Sequence, residues 1–173
     1  MLTTSQVFII INYEHSFISL LIPKEGLLMA EETFKATTTL KDGVTVEAES
    51  RGHKITIDEP EEMGGTDEGM NPVELALCSL GGCLSICASM FAESCDVELN
   101  DFSVDLEGDL DLRGFKGADD VDPGFQDVRF TLNIDSDSPE ENIAELVEVI
   151  EKRCPVSDSL TRNITVNGDY EIK

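Results

Sequence analysis

The stretch "NPVELALCSLGGCLSICASMFA", residues 71–92, decides how the rest of the chain can fold. Asn71 stands as an N-cap, Pro72 occupies the first helical position, where its missing N–H costs nothing, and Glu74 the third, a complete helix-start signature. The helix should run to about Glu93. From Leu75 to Ala92 it carries no charge, and a helix that is apolar all round has to be covered on every side. A bilayer could supply that cover. However, Gly81, Gly82, Ser79, Ser85, Ser89 and three thiols leave the segment only mildly hydrophobic, and acidic, strand-like neighbours flank it without basic anchors. It is therefore expected to be a core helix. The residues after Met29 are too few to enclose it alone, so a second subunit is expected to complete the cover. The adjacent glycines each cost about 1 kcal/mol relative to alanine inside a helix. They imply a close neighbour, such as another helix, and open space beside Cys83.

Upstream, Phe34 to Ile57 alternates Thr and Val between the turn signals "KDGV" and "SRGH", which predicts a β-meander. "DEPEEMGGTDEGMNP" then reads as a loop. Downstream, Phe102, Val104 and Leu106, then Leu110 and Leu112, and after a Gly and Asp loop Val128, Phe130, Leu132 and Ile134, alternate with polar residues as strands with one buried face. Ser138, Pro139 and Glu141 suggest a capping box for a second helix, with Ile143, Leu146, Val147 and Ile150 as its stripe and Pro155 as its end. "NITVNGDYEI" reads as a terminal strand. The order strands, helix, strands, helix, strand makes the fold class α+β.

The chain has 36 acidic and 12 basic residues and a net charge of -24, spread from Glu31 onward as a solvated shell. Nucleic acid is excluded as a partner, because phosphate contacts require the opposite sign. So acidic a shell resembles that of proteins from high-salt cytoplasms, where screening makes self-repulsion tolerable. Residues 1–28 contain only Glu14, Lys24 and Glu25 as charges and break sharply from the composition that follows. They lack the basic region and cleavage site of a signal peptide and the length of a span. We expect an extension upstream of a start at Met29, the alternative being an added edge strand or amphipathic arm, followed by one domain over 29–173. Five cysteines without a secretion signal point to a reducing, cytoplasmic setting. His15 and His53 are the only histidines, and there is no C-x-x-C pair, so neither a metal site nor a bound cofactor is expected.

Cys78, Cys87 and Cys95 read as small buried hydrophobes. Cys83 and Cys87 share a helical face but are poorly set for a disulfide, so a partner for Cys83 must come from elsewhere. Cys154, in "KRCPVSDSL", precedes a proline that can open a new helical turn, and Lys152 and Arg153 add positive charge. Both features favour thiolate over thiol and predict a lowered pKa. The alternative for Cys154 is a place in the core.

"NPVELALCSLGGCLSI", with a cysteine twelve residues after its asparagine and "CPVS" about seventy residues later, resembles the OsmC/Ohr family of peroxide-handling proteins over roughly Phe34 to Lys173. The resemblance implies an intertwined α+β homodimer with antiparallel sheets around two long central helices and a thiol peroxidase site at the interface. It makes Cys83 the peroxidatic and Cys154 the resolving cysteine. Organic hydroperoxides would then be the substrate, and a dithiol of lipoyl or thioredoxin type the reductant. The best-studied branches hold the thiolate with an arginine and a glutamate. Here Val73 stands at the glutamate position, ten residues before the cysteine, with Glu74 beside it about a hundred degrees around the helix. Arg51 and Arg153 are the candidate arginines. A redox sensor and a small-molecule-binding protein remain the alternatives to an enzyme.

Overall fold

A computed structural model of the chain describes residues 31–172. The expected boundary at residue 28 lies outside the described residues. Three short strands open the fold: β1 (Thr37–Leu40), β2 (Val46–Ser50) and β3 (His53–Ile57) form an antiparallel meander in the order β1-β2-β3. Arg51 and Gly52 make the two-residue turn between the paired Ser50 and His53, with φ of +52° and +83°. Positive φ at both central positions gives the turn whose twist matches that of a hairpin.

The acidic loop that follows is fastened by one side chain. Asp58 is buried, and its carboxylate accepts from the Thr66 N–H at 2.9 Å, the Thr66 hydroxyl at 2.7 Å, the Glu68 N–H at 3.2 Å and the Thr45 hydroxyl at 3.3 Å. These bonds hold the carboxyl well below the usual carboxylate range. The Thr66 hydroxyl is the largest cause, and burial works in the opposite direction.

Helix α1 (Pro72–Phe91) begins as expected: the Glu74 N–H donates to Asn71 Oδ1 and the Asn71 N–H to Glu74 Oε2, each at 2.9 Å. Its length and composition would suffice to cross a bilayer. Yet Leu80, Gly81, Leu84, Cys87 and Ala88 are buried along one side, at spacings of three and four that define a single helical face. That face meets the inner side of a hairpin formed by β4 (Asp101–Leu110) and β5 (Phe125–Asp135), joined through the short helix α2 (Leu112–Phe115). Alternation places Phe102, Val104 and Leu106 of β4 and Val128, Phe130 and Leu132 of β5 against the core. Helix α3 (Glu140–Arg153) adds the fully buried Leu146 and Ile150, and α4 (Pro155–Thr161) follows directly. Burying a side chain such as Leu84 contributes roughly 2–3 kcal/mol. The result is α+β with antiparallel sheets, as expected.

The opposite side of α1 is bare. Ile86 is 62% and Met90 70% exposed, and Cys78 and Gly82 lie on the same surface. The β1-β2-β3 sheet makes no substantial packing against the helices or the β4–β5 hairpin.

Several expectations require correction. Residues 163–172 form no strand, and Ile164, Val166, Tyr170 and Ile172 are exposed. A strand needs a partner, and among the described residues this segment pairs with none of the sheet edges. Ser138 builds no capping box for α3. Its hydroxyl instead accepts the Glu98 N–H at 2.9 Å, and the N-cap position, Pro139, has no side chain able to cap. Leu112 lies in α2 rather than in a strand, because the Asp111 carboxylate accepts the Arg113 N–H at 3.0 Å and turns the chain. Cys78 is exposed, not a core residue.

Candidate functional site

Cys83 projects from the middle of α1 and is half-buried, whereas Cys87, one turn further on, and Cys154 belong to the core cluster on which Cys83 packs. The glycine pair just before Cys83 serves two purposes. A Cβ at Gly81 would come within 2.7 Å of Leu106 Cδ1, so the close neighbour is a strand side chain and not the helix expected. A Cβ at Gly82 would meet nothing within 4 Å, which leaves open space beside Cys83.

Cys154 is both the last cap of α3 and the first of α4. Its N–H donates to the Ile150 carbonyl at 3.1 Å, while its Sγ accepts the Ser157 N–H at 3.3 Å. Pro155 sits at the first position of α4, where no N–H is missed. Both sequence readings of Cys154, as core residue and as helix-start thiol, therefore hold in position. The expected lowering of its pKa does not: burial pushes the thiol up, as does the neighbouring Cys83 side chain, and the Ser157 and Val156 N–H groups only partly offset this. At 1% exposure, the loss of water around a thiolate outweighs two backbone dipoles. Cys87 is likewise pushed up, by burial first and by the nearby Cys154 second. Cys83, Cys87 and Cys154 thus form a three-thiol group with Cys83 at its exposed edge. The Ser85 hydroxyl, two residues further along α1, donates to the Gly81 carbonyl at 2.9 Å.

The remaining candidates are placed elsewhere. Glu74 is held in the α1 capping box, nine residues before Cys83 and on the far side of the helix. Arg51 is on the exposed β2–β3 turn, in the sheet that does not pack on α1. Arg153 is exposed at the end of α3. None of the three is joined to Cys83 within the described chain. A cavity of about 430 Å³ between the β1–β2 turn and residues 64–68 contains no thiol and no histidine. Among the described residues, no three His, Cys, Asp or Glu side chains converge as metal ligands would. The member of the group that sequence reasoning missed is Cys87. Its four-residue spacing from Cys83 was visible, but its proximity to Cys154 depends on how α3 packs.

The chain is 26% identical over 142 residues to a hydroperoxide reductase of Mycoplasma genitalium, an alignment covering 79% of this chain and 94% of that protein. Its fold is similar to an OsmC-like protein from Mycoplasma pneumoniae, with a TM-score of 0.66 and 22% identity over 76% of this chain and 89% of the other. An organic hydroperoxide resistance protein from Elizabethkingia anophelis gives a TM-score of 0.59 at 20% identity, over 79% and 93%. One from Legionella pneumophila gives 0.54 at 24%, over 76% and 90%. The sequence model of the family described as OsmC-like protein matches residues 65–168, which include α1, Cys83 and Cys154. The chain belongs to the OsmC-like protein family.

Proposed function

We propose that the chain is a cysteine-dependent peroxidase that reduces organic hydroperoxides, with Cys83 as nucleophile and Cys154 as resolving thiol. The observation that carries this reading is the pairing of a half-exposed thiol on α1 with a buried thiol at the start of α4. The relative named a hydroperoxide reductase and the neighbours named for organic hydroperoxide resistance support the same chemistry.

In the first step the Cys83 thiolate attacks one oxygen of ROOH. The O–O bond breaks, the alcohol ROH leaves after taking a proton, and sulfur is oxidised to the sulfenic acid. Cys154 then gives up its proton and attacks that sulfur, forming the disulfide and releasing water. An external dithiol, of lipoyl or thioredoxin type, reduces the disulfide and leaves as its own oxidised form. The raised pKa of Cys154 suits the second role, since a thiol that stays protonated does not compete with Cys83 for peroxide.

The same reading takes the protein as a homodimer. A second copy laid on Cys78, Gly82, Ile86 and Met90 would cover the bare side of α1 and wall the open space beside Cys83 with apolar groups, which favours organic over hydrogen peroxide. Two arginines and one glutamate were candidates to hold the thiolate, and within one chain they lie on other elements or the far side of α1, which supports a second reading, a redox sensor that forms the disulfide without rapid turnover. Peroxide consumption by the purified protein with a dithiol separates the two. Turnover of an alkyl hydroperoxide that disappears in Cys83→Ser is the expected result; turnover unchanged in that variant contradicts it.

A further inference from the structure

We propose that Asn167 is a self-modifying site, whose side-chain amide is lost in an intramolecular reaction with the backbone nitrogen of Gly168 to leave aspartate or isoaspartate at position 167. The reaction needs an asparagine amide that no other group holds. It also needs a following N–H that is neither hydrogen-bonded nor shielded, on a residue without a side chain to obstruct the approach.

Asn167 is the described asparagine that meets these conditions. Asn71 caps α1, Asn100 donates to Asp135 and Asp137, Asn133 to Asp105 at 2.7 Å, and Asn142 to the Asp96 carbonyl at 3.2 Å. Asn163 is exposed, but the branched Ile164 follows it. Asn167 and Gly168 are both exposed, and among the described residues neither takes part in a hydrogen bond. Between alternating apolar residues an Asn-Gly pair would ordinarily close a tight hairpin turn with positive φ at both positions. Here φ is positive at neither, and the flanking arms 163–166 and 169–172 do not pair. No turn holds the Gly168 N–H away from the amide carbon.

The Gly168 nitrogen gives up its proton to solvent base and attacks Cγ of Asn167. The bond from Cγ to the side-chain nitrogen breaks, ammonia leaves, and a five-membered succinimide closes. Water then opens the ring. Cleavage at Cγ gives aspartate, and cleavage at the main-chain carbonyl gives isoaspartate, with the backbone running through Cβ and Cγ and one carbon longer. No electrons are exchanged. Either product adds a negative charge to a chain already at -24. Isoaspartate also puts Tyr170 and Ile172 out of step with Ile164 and Val166, so a segment whose alternation suits it to strand pairing loses that capacity as the protein ages.

Trypsin releases this segment as residues 163–173, between Arg162 and the C-terminus. The test incubates the full chain and a synthetic peptide of residues 163–173 side by side at mildly alkaline pH. The 163–173 fragment of each is followed by mass spectrometry, with chromatographic separation of aspartate from isoaspartate. A site without protecting structure reacts as the free peptide does, so Asn167 in the full chain should convert within about tenfold of the peptide rate while Asn163 stays intact. Gly168→Ala, whose added Cβ would meet nothing within 4 Å, should slow conversion at least about fivefold in chain and peptide alike. The proposal is overturned if the full chain converts more slowly than that tenfold limit, since the segment would then be covered, by a second copy or otherwise. It is equally overturned if Gly168→Ala slows conversion by less, or if Asn163 reacts as fast as Asn167.

Discussion

The Cys154 sulfur accepts the Ser157 N–H at 3.3 Å at the start of α4, and yet its thiol is pushed up rather than down because the residue is buried. Cys87 and Cys95 are pushed up by burial as well. A thiol whose folded pKa lies above its unfolded value binds more protons in the folded state. Its contribution to stability is complete below the unfolded pKa and is lost as pH rises through the folded one. The thermal midpoint should therefore fall once pH passes the ordinary thiol range, and less steeply in Cys95→Ala than in the parent. Thermal melts across that range check this, and parallel curves would contradict it.

Asp58 gives the opposite slope. Its carboxyl is held below the usual range, first by the Thr66 hydroxyl, so its contribution is complete above the unfolded carboxylate pKa and is lost as pH falls below it. The other acids also lose mutual repulsion on acidification, so the informative quantity is the difference between parent and Asp58→Asn. That difference should be large at neutral pH and shrink toward pH 3. Amide exchange should speed up at Thr66 and Glu68, whose N–H groups Asp58 accepts.

Two glycines, Gly108 and Gly82, separate core from proposed interface. A Cβ at Gly108 would meet the Phe125 ring at 2.5 and 2.8 Å, so Gly108→Ala should destabilise by about 1–3 kcal/mol. Gly82 faces open space within one chain. Gly82→Ala in an isolated chain should add about 1 kcal/mol of helix propensity. If a second copy lies against this surface, Gly82→Leu should weaken the dimer at least tenfold. Light scattering over a dilution series reads this, and an unchanged dimer constant would remove α1 from the interface.

Local signals accounted for much of the fold. The Asn71, Pro72 and Glu74 signature was legible because a capping box involves only neighbours in sequence, and the β4–β5 hairpin because alternation records which face is buried. The errors arose where a distant group competed. Ser138 was committed to Glu98, forty residues away in sequence, and the segment from Asn163 pairs with no strand, which alternation within the segment cannot reveal. At the site, Cys83 and Cys154 could be named from their motifs, whereas the raised pKa of Cys154 follows from tertiary burial and overrides the favourable charges written beside it.

The charge of -24 gives a further test. The few basic groups are already surrounded: Arg129 alone meets Glu107, Asp109 and Asp127. The excess acids repel over a Debye length of about 30 Å at 0.01 M salt but about 3 Å at 1 M. The thermal midpoint should rise steeply from low salt and keep rising toward 2 M potassium chloride if the shell is adapted to high salt. A midpoint unchanged between 0.1 and 2 M would mark the charge as an ordinary solubility feature.

The central claim is that peroxide drives Cys83 and Cys154 into one bond. The reduced protein, treated with one equivalent of an alkyl hydroperoxide and digested without reductant, should yield a peptide pair joined through Cys83 and Cys154 that has lost two hydrogens. The pair should be absent from Cys83→Ser, and Cys154→Ser should stop at a trappable sulfenic acid on Cys83. Peroxide consumed with both thiols still free, or a disulfide that joins Cys78 or Cys95 instead, would contradict the account.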